Sequence, residues 1–229
     1  MSCLISEKDR LQNLDVECDI YVYERLRELA DRRMYLYGSI RSMQEEEVEK
    51  EGCTTYYDAS KMSKLIEYII EFNRMDREIV PAKRKPIILF INSPGGDVTE
   101  GFALISAMKL SKTPIYTVNV GEWCSMAFLI GITGTKRLSL DNAIFMMHEP
   151  SGLTVGKFSD MQDKVDFNRK YNNQIIKKHV MSHSKMKPAK YNAISKKDFY
   201  MLPDEALKYG FIDGIVSDID SITDTKAEL

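Results

Sequence analysis

An unbroken apolar run of five residues, Ile87 to Ile91, is followed at once by the turn Asn92-Ser-Pro-Gly-Gly96. Runs of this kind are typical of strands buried on both faces, which occur in parallel sheets covered by helices. A helical pattern with the apolar residues Phe102, Ile105 and Met108 begins directly after the turn. The run therefore predicts a strand–turn–helix unit around a buried strand.

The same pattern recurs further along the chain. A second strand is predicted over Ile115–Val120, ending at Gly121, and an apolar helix opens near Cys124. A third strand, Ala143–Met147, runs straight into His148. Successive units of this kind predict an α/β fold with the carboxyl ends of the strands on one edge, where open α/β sheets bind their ligands.

Charge and composition exclude several classes of protein. The 229 residues carry 32 Lys plus Arg and 34 Asp plus Glu, a net charge of −2, whereas general nucleic-acid binders carry a basic stripe. The longest apolar run, Met126–Ile132, is far below the roughly 20 residues that cross a bilayer. The polar N-terminus is not a secretory signal, and the cysteines lack zinc or C-x-x-C spacing. We expect a cytoplasmic protein with no nucleic-acid or membrane partner; the cysteines are Cys3, Cys18, Cys53 and Cys124.

The remaining segments give a coarse map of the chain. A charged N-terminal stretch is expected to form an arm followed by a helix around Tyr23–Arg33, and residues 44–53 form an acidic run. Other predicted elements are a strand Met34–Tyr37 ended by Gly38, a helix capped by Ser60, a strand or loop over Gly152–Phe158, a long helix over Ser159–Ser182 capped by Ser159, a short helix Pro203–Lys208 and a last strand Phe211–Val216.

Ser125 and His148 are the first candidates for chemistry. Ser125 lies at the start of a predicted helix, where the N-terminal amides favour an oxyanion beside a serine nucleophile; the alternative is that it only caps the helix. His148 is the one histidine predicted at the ligand-binding edge. His179 and His183 have the i, i+4 spacing of a two-ligand metal site, but no third ligand is suggested, and an exposed helix face is favoured.

A serine hydrolase also needs a group that orients the imidazole. Spacing does not choose among the acids of this chain. The Gly95–Gly96 turn lacks a Walker lysine and the G-x-G-x-x-G spacing, which disfavours nucleotide binding. A double glycine lets the backbone approach a ligand closely, and donating an amide to an oxyanion is one such use. The open candidates for the orienting acid are Asp97, Asp141, Asp160, Asp198 and Asp204.

Four motifs in order resemble the ClpP family, the proteolytic subunits of ATP-dependent Clp proteases. The resemblance runs from about Arg25 to Val216 and implies a ClpP/crotonase-like spiral of ββα units with a protruding strand–helix handle at about 152–183. The motifs are Ile91-Asn-Ser-Pro-Gly-Gly96, Gly121-x-x-Cys-Ser-Met126, Met147-His-Glu-Pro150 and Asp204-Glu-Ala-Leu-Lys-Tyr-Gly210-Phe-Ile-Asp213.

The resemblance also implies roles for individual residues. Ser125 would be the nucleophile, His148 the general base and Asp198 the third member of a catalytic triad, with no metal or other cofactor. The backbone amides of Gly96 and Met126 would form the oxyanion hole. The substrate backbone would lie between strand segments that contain Val98, Ser151 and Leu153.

The implied function is ATP-dependent proteolysis by a serine endopeptidase. Unfolded polypeptides would enter from an AAA+ unfoldase of the ClpX, ClpA or ClpC type, and heptameric rings would stack as a tetradecamer. Residues 1–24 would form an N-terminal arm, either an axial-pore loop or a propeptide, and residues 25–229 the peptidase domain. The alternatives are a catalytically silent, regulatory ring subunit and a crotonase-like acyl-CoA enzyme.

Overall fold

The computed structural model describes residues 30–41, 49–50, 53–54, 61–151, 155–218 and 220–223. The predicted N-terminal arm (1–24), the Ser60 helix cap and Leu153 lie outside the described residues. So do most of the acidic run at 44–53 and most of the helix predicted over Tyr23–Arg33. None of the described helices is long and apolar enough to cross a lipid bilayer.

The described elements follow the predicted alternation of strands and helices. The strands are β1 (Arg33–Tyr37), β2 (Glu49–Lys50), β3 (Cys53–Thr54), β4 (Ile87–Ser93), β5 (Ile115–Cys124), β6 (Lys136–Leu140), β7 (Ile144–Met147), β8 (Phe199–Met201) and β9 (Gly214–Val216). The helices are α1 (Lys61–Met75), α2 (Val98–Leu110), α3 (Met126–Gly131), α4 (Phe158–Tyr171), α5 (Lys177–Ser182), α6 (Pro188–Ile194), α7 (Pro203–Lys208) and α8 (Asp220–Thr223). A single 3₁₀ turn, Pro81–Lys83, precedes β4, and a π-helical turn, Asn172–Ile176, joins α4 to α5.

The main sheet is parallel, as the strand–turn–helix units predict. Strands β1, β4, β5, β6 and β9 lie side by side in that order, and β7 pairs in parallel with the far end of β5. Only β8 runs antiparallel within this sheet, against β7, while β2 and β3 pair separately. Helices α1, α2 and α3 bury their apolar residues against one face, where Leu89 and Ile91 of β4 lie. The predicted α/β fold is therefore confirmed.

Strand β5 is longer than predicted, because Gly121 does not end it. Residues 116–119 pair with β6, and residues 122–124 pair with β7. Between the two halves, Gly121 leaves room for a neighbouring side chain, since a Cβ there would lie 2.3 Å from the Asn92 Oδ1. That oxygen accepts a hydrogen bond from the Glu122 amide at 3.1 Å. Gly121 thus marks a close approach inside a strand, and the predicted strand end was wrong.

The long helical stretch of the predicted handle forms, with a different start. It begins at Phe158 after Lys157, and Ser159 is not its cap as predicted. No residue of α4 is buried, and the Phe158 side chain is 92% exposed. Residues 152–154 of the handle's predicted strand lie outside the described part, and residues 155–157 form no strand.

His179 of α5 contradicts the exposed helix face predicted for the pair His179 and His183. Its side chain is 3% exposed and lies against α3, where its Nε2 is 3.0 Å from the Leu129 carbonyl oxygen. Apolar periodicity does not reveal a histidine that is buried through polar contacts, so this arrangement could not be predicted from the spacing of apolar residues.

Candidate active site

Strand register brings Ser125 and His148 together. Because β5 and β7 run in parallel with Cys124 opposite Met146, the chain leaves both strands at the same edge of the sheet. The Ser125 amide donates a hydrogen bond of 2.8 Å to the Met146 carbonyl, which fixes the start of the turn. The Ser125 Oγ then lies 2.8 Å from the His148 Nε2.

Asp198 reaches the other side of the imidazole through β8. In the antiparallel pair of β7 and β8, Met147 faces Phe199, so the next positions along, His148 and Asp198, face each other. The His148 Nδ1 lies 3.2 Å from the Asp198 Oδ1. Residue spacing had left five acids open, and the structure pairs Asp198 with His148. A three-residue strand is too short for periodicity to reveal, and β8 was not predicted.

The two contacts define the state of the imidazole. An aspartate carboxylate accepts hydrogen bonds, so the His148 Nδ1 carries the proton that points to Asp198. In the neutral ring, Nε2 is then an acceptor, and the Ser125 hydroxyl donates to it. The Asp198 side chain is 58% exposed and the His148 side chain 23%, so water reaches this pair from the carboxylate side.

The backbone of Ser125 is strained. Its φ of 54° and ψ of −119° lie in a region that residues with a Cβ avoid. Its side chain makes no capping hydrogen bond to α3, and its Oγ instead points to His148. The structure therefore does not support the alternative that Ser125 only caps the helix.

The Gly95–Gly96 loop packs directly on the Ser125 turn. A Cβ on Gly95 would lie 2.6 Å from the Cys124 carbonyl oxygen and 2.8 Å from the Met126 nitrogen. Within the described residues, the amides of Gly96 and Met126 have no backbone acceptor. An oxyanion hole requires N–H donors of this kind near the nucleophile, and the assignment of these two amides to it stays a prediction.

Ile40 holds this loop in place, and sequence reasoning missed it. Its amide donates to the Gly95 carbonyl at 2.8 Å, and its carbonyl accepts from the Asp97 amide at 2.9 Å. Gly96 lies between these two bonds with φ +144°. A residue that acts through its backbone leaves no signal in its side-chain type.

An apolar pocket opens beside the Ser125 hydroxyl. It is lined from several elements by side chains that are almost all apolar, and its enclosed volume is about 20 Å³. Val98 begins α2 rather than lying on a strand as predicted, and its side chain lines the pocket. Ser151 is exposed and outside any strand. The other lining residues are Met126, Phe128, Leu129, Met147, Pro150, Ile176, Val180 and Tyr191, together with Ser125 and His148.

Cys124 precedes Ser125 and is not a competing nucleophile. Burial, the charge of Glu122 and a hydrogen bond to that carboxylate together raise the pKa of the Cys124 thiol to about 12. The thiolate that would be needed for attack is therefore scarce at neutral pH. Among the described residues, no group of three His, Cys, Asp or Glu side chains is placed to hold a metal ion.

Comparison with known protein families identifies the relatives of this chain. The family model of the Clp proteases matches residues 78–218, which is more than half of the 229 residues. The match contains all three residues of the Ser125, His148 and Asp198 chain of contacts, as well as the Gly95–Gly96 loop. Because the matched model is that of the Clp proteases, the acyl-CoA enzyme alternative is left without support.

Proposed function

The chain belongs to the Clp protease family, and from that premise we propose that it is a serine endopeptidase that hydrolyses peptide bonds of unfolded proteins. The observation that supports the serine type is the continuous chain of contacts from Ser125 through His148 to Asp198. The distances of 2.8 Å and 3.2 Å are within reach of direct proton transfer and of orientation by a carboxylate.

In this proposal, Ser125 attacks the peptide carbonyl while the His148 Nε2 takes its proton. The imidazolium that forms is stabilised by the Asp198 carboxylate and later gives the proton to the leaving amine. Water then hydrolyses the acyl-enzyme, with His148 again as the base. The amides of Gly96 and Met126 receive the developing oxyanion, and each such donor contributes about 3 kcal/mol in related sites.

The pocket beside Ser125 supports a preference for an apolar side chain next to the scissile bond. Its lining is mostly apolar, with Phe128, Leu129 and Met147 near the nucleophile. A buried apolar side chain of the substrate gains about 25 cal/mol per Å² of surface removed from water. Substrate backbone contacts through Val98, Ser151 and Leu153 stay a prediction.

We also propose that the protein works as a ring assembly. The α4 helix buries none of its residues and exposes Phe158 and Phe167, which supports packing of the handle (152–183) against another protomer. Heptameric rings stacked as a tetradecamer are the proposed form. Residues 25–229 would be the peptidase domain of each protomer and residues 1–24 its arm.

An AAA+ unfoldase of the ClpX, ClpA or ClpC type is the proposed partner. Tyr35 and Tyr37 are partly exposed on β1, and the Tyr35 ring stacks on Phe90 of β4 with 5.4 Å between the centroids. An aromatic strip of this kind on an exposed sheet face supports docking of an apolar segment from another protein. The cytoplasmic location stays a prediction from sequence.

The test is covalent labelling by a fluorophosphonate, which reacts with activated serines. We expect the purified protein to be labelled at Ser125, as read by mass spectrometry of the modified peptide. Ser125→Ala abolishes labelling, and Asp198→Asn slows peptide hydrolysis on the order of 10⁴-fold because the imidazole loses its orienting acceptor.

The matched control is Ser106→Ala, since Ser106 lies on α2 and its hydroxyl bonds only to the Phe102 carbonyl. This variant should keep full labelling. A folded oligomer that never labels would overturn the proposal. Cleavage that appears only after addition of an active paralogue would assign the chain to the regulatory alternative.

A further inference from the structure

The imidazole of His179 lies behind the apolar pocket and takes no part in the proposed mechanism. Its Nδ1 is 3.0 Å from the Lys109 Nζ, and its Nε2 is 3.0 Å from the Leu129 carbonyl oxygen and 3.1 Å from the Thr133 Oγ1. Polar contacts therefore engage both ring nitrogens, although the side chain is almost fully buried.

These contacts fix the tautomer of His179. A lysine ammonium only donates hydrogen bonds, so Nδ1 is the acceptor and Nε2 carries the proton. The Nε2–H donates to the Leu129 carbonyl, which also accepts from the Thr133 hydroxyl at 2.8 Å. Burial, outweighing the hydrogen bond to Leu129, lowers the pKa of His179 to about 4, so the neutral ring is the working form.

The bond to Leu129 adds a second donor, beside the Thr133 hydroxyl, to a carbonyl at the end of α3. The Thr133 amide donates to the Ile130 carbonyl, so it does not reach the Leu129 oxygen. Carbonyls in the last turn of a helix need partners from outside the helix. His179 supplies one across the interface between α3 and α5, which ties these two helices together at a fixed distance.

Three of the elements that line the pocket meet at His179. Leu129 lines it from α3, and Ile176 and Val180 line it from the helical stretch that carries His179. Lys109 is on α2, the helix whose first residue, Val98, also lines the pocket. One imidazole is thus hydrogen-bonded to two of the elements that line the pocket, to a side chain of α2 and to the backbone of α3.

We propose that His179 is a positioning residue that sets the width of the apolar pocket beside Ser125 and so the size of the substrate side chain that fits there. This inference rests on the proposed function, because the pocket is taken to hold a substrate side chain. His179 touches no substrate and acts through Leu129 of α3 and through Lys109 of α2. The geometry that carries it is the pair of 3.0 Å contacts on opposite ring nitrogens.

Among the described residues, the side-chain charges that act on the His179 imidazole come from basic groups. The His183 ring lies 4.3 Å from it on α5, and Lys109 reaches it from α2. The charges of Lys109 and His183 both act to lower the pKa of His179. Protonation would place a second positive charge against Lys109 and remove the acceptor at Nδ1, so the tie between the helices requires the neutral ring.

The experiment compares His179→Leu with His179→Gln. A leucine side chain fills the buried site but makes neither hydrogen bond. The glutamine amide, in contrast, is able to accept from Lys109 and to donate to the Leu129 carbonyl. We expect His179→Leu to let the walls separate and to raise the preference for Phe over Ala at the cleavage site about tenfold in kcat/KM. His179→Gln should restore the preference of the unaltered chain.

Two further variants keep the test interpretable. His183→Gln is the matched control, because His183 bonds to the His179 carbonyl and not to α3. Lys109→Met removes the donor to Nδ1 and should shift the substrate preference in the same direction as His179→Leu. This variant tests the inference even if the His179→Leu protein does not fold. An unchanged preference in both His179→Leu and Lys109→Met would overturn the inference.

Binding measured without catalysis separates this inference from the proposed function. In the Ser125→Ala background, the Kd of fluorescent peptides ending in Ala or Phe reports the pocket width directly. If the unaltered chain neither labels nor cleaves, the proposed function fails. The inference still stands if the ratio of the two Kd values shifts about tenfold with His179→Leu, and it fails if that ratio is unchanged.

Discussion

Ser125 combines a reactive side chain with a strained backbone. Its φ of 54° puts the Cβ in a conformation that costs about 1–3 kcal/mol, and the surrounding register bonds hold it there. The same turn aims the Oγ at His148 and leaves the Met126 amide without a backbone acceptor in the described chain. At Ser125, a strained backbone that lowers the stability of the fold places the hydroxyl against the His148 imidazole.

We predict that Ser125→Gly unfolds at higher denaturant than Ser125→Ala. Both variants lack the hydroxyl, but glycine adopts a positive φ without steric cost, so the free energy of unfolding should be about 1 kcal/mol larger. Urea titration at one protein concentration measures the difference. Equal midpoints for the two variants would mean that no strain is stored at this turn.

At the scale of elements, the site is made by the ends of strands. The β5–β7 pair positions Ser125 and His148, the β7–β8 pair adds Asp198, and β4 delivers the Gly95–Gly96 loop. The loop has no space for a side chain, since a Cβ on Gly96 would lie 1.9 Å from the Ile40 carbonyl oxygen. Its two glycines therefore serve close packing as well as backbone conformation.

Gly96→Ala should reduce kcat by about 10²- to 10³-fold. The methyl group forces the loop away from Ile40, and the amide proposed for the oxyanion hole moves with it. Gly156→Ala is the matched control, because Gly156 has a similar φ of +154° but nothing within 4 Å of an added Cβ. Steady-state kinetics of both variants makes the comparison, and equal rates would remove Gly96 from the oxyanion hole.

At the scale of the whole molecule, one part of the chain is anchored, whereas α4 buries none of its residues against the rest of the described structure. The N-terminal end of the described fold is tied down by Arg32, whose Nη1 and Nη2 bind the Asp76 carboxylate, and this lowers the pKa of Asp76. In contrast, α4 exposes Phe158, Val165 and Phe167. Phe158 and Val165, seven residues apart, share one side of α4, and Phe167 lies on the opposite side, so apolar side chains on two sides of this helix are left for another surface to cover.

We expect the unaltered protein to have the native mass of seven or fourteen protomers, and Phe167→Gln to reduce it. Loss of the apolar contact weakens association of α4 with another protomer, while the protomer keeps its fold because Phe167 is 62% exposed. Met75→Gln is the control, since Met75 is comparably exposed at the end of α1, outside the handle. Native mass spectrometry reads the result, and a monomeric unaltered protein would contradict the ring assembly.

Local patterns in the sequence determined most of the α/β framework. The apolar run Ile87–Ile91 and the glycine turns after it are local signals, and they were sufficient to predict buried parallel strands that end at one edge. The motifs around Ser125 and His148 were likewise readable, because each lies within a few residues of a strand end. Periodicity did not reveal the three-residue β8 or the continuation of β5 past Gly121, since neither has a pattern of its own.

Only the tertiary structure decided how distant residues meet. Spacing left five acids open and the family resemblance named Asp198, but the antiparallel register of β7 and β8 is what brings Asp198 to His148. Backbone bonds alone place Ile40 against Gly96. The structure also buries His179, which was predicted to be exposed, in the contact between α2, α3 and α5. The physical reason is common to all three: hydrogen bonds between residues far apart in the chain depend on register and packing, which side-chain type and spacing do not encode.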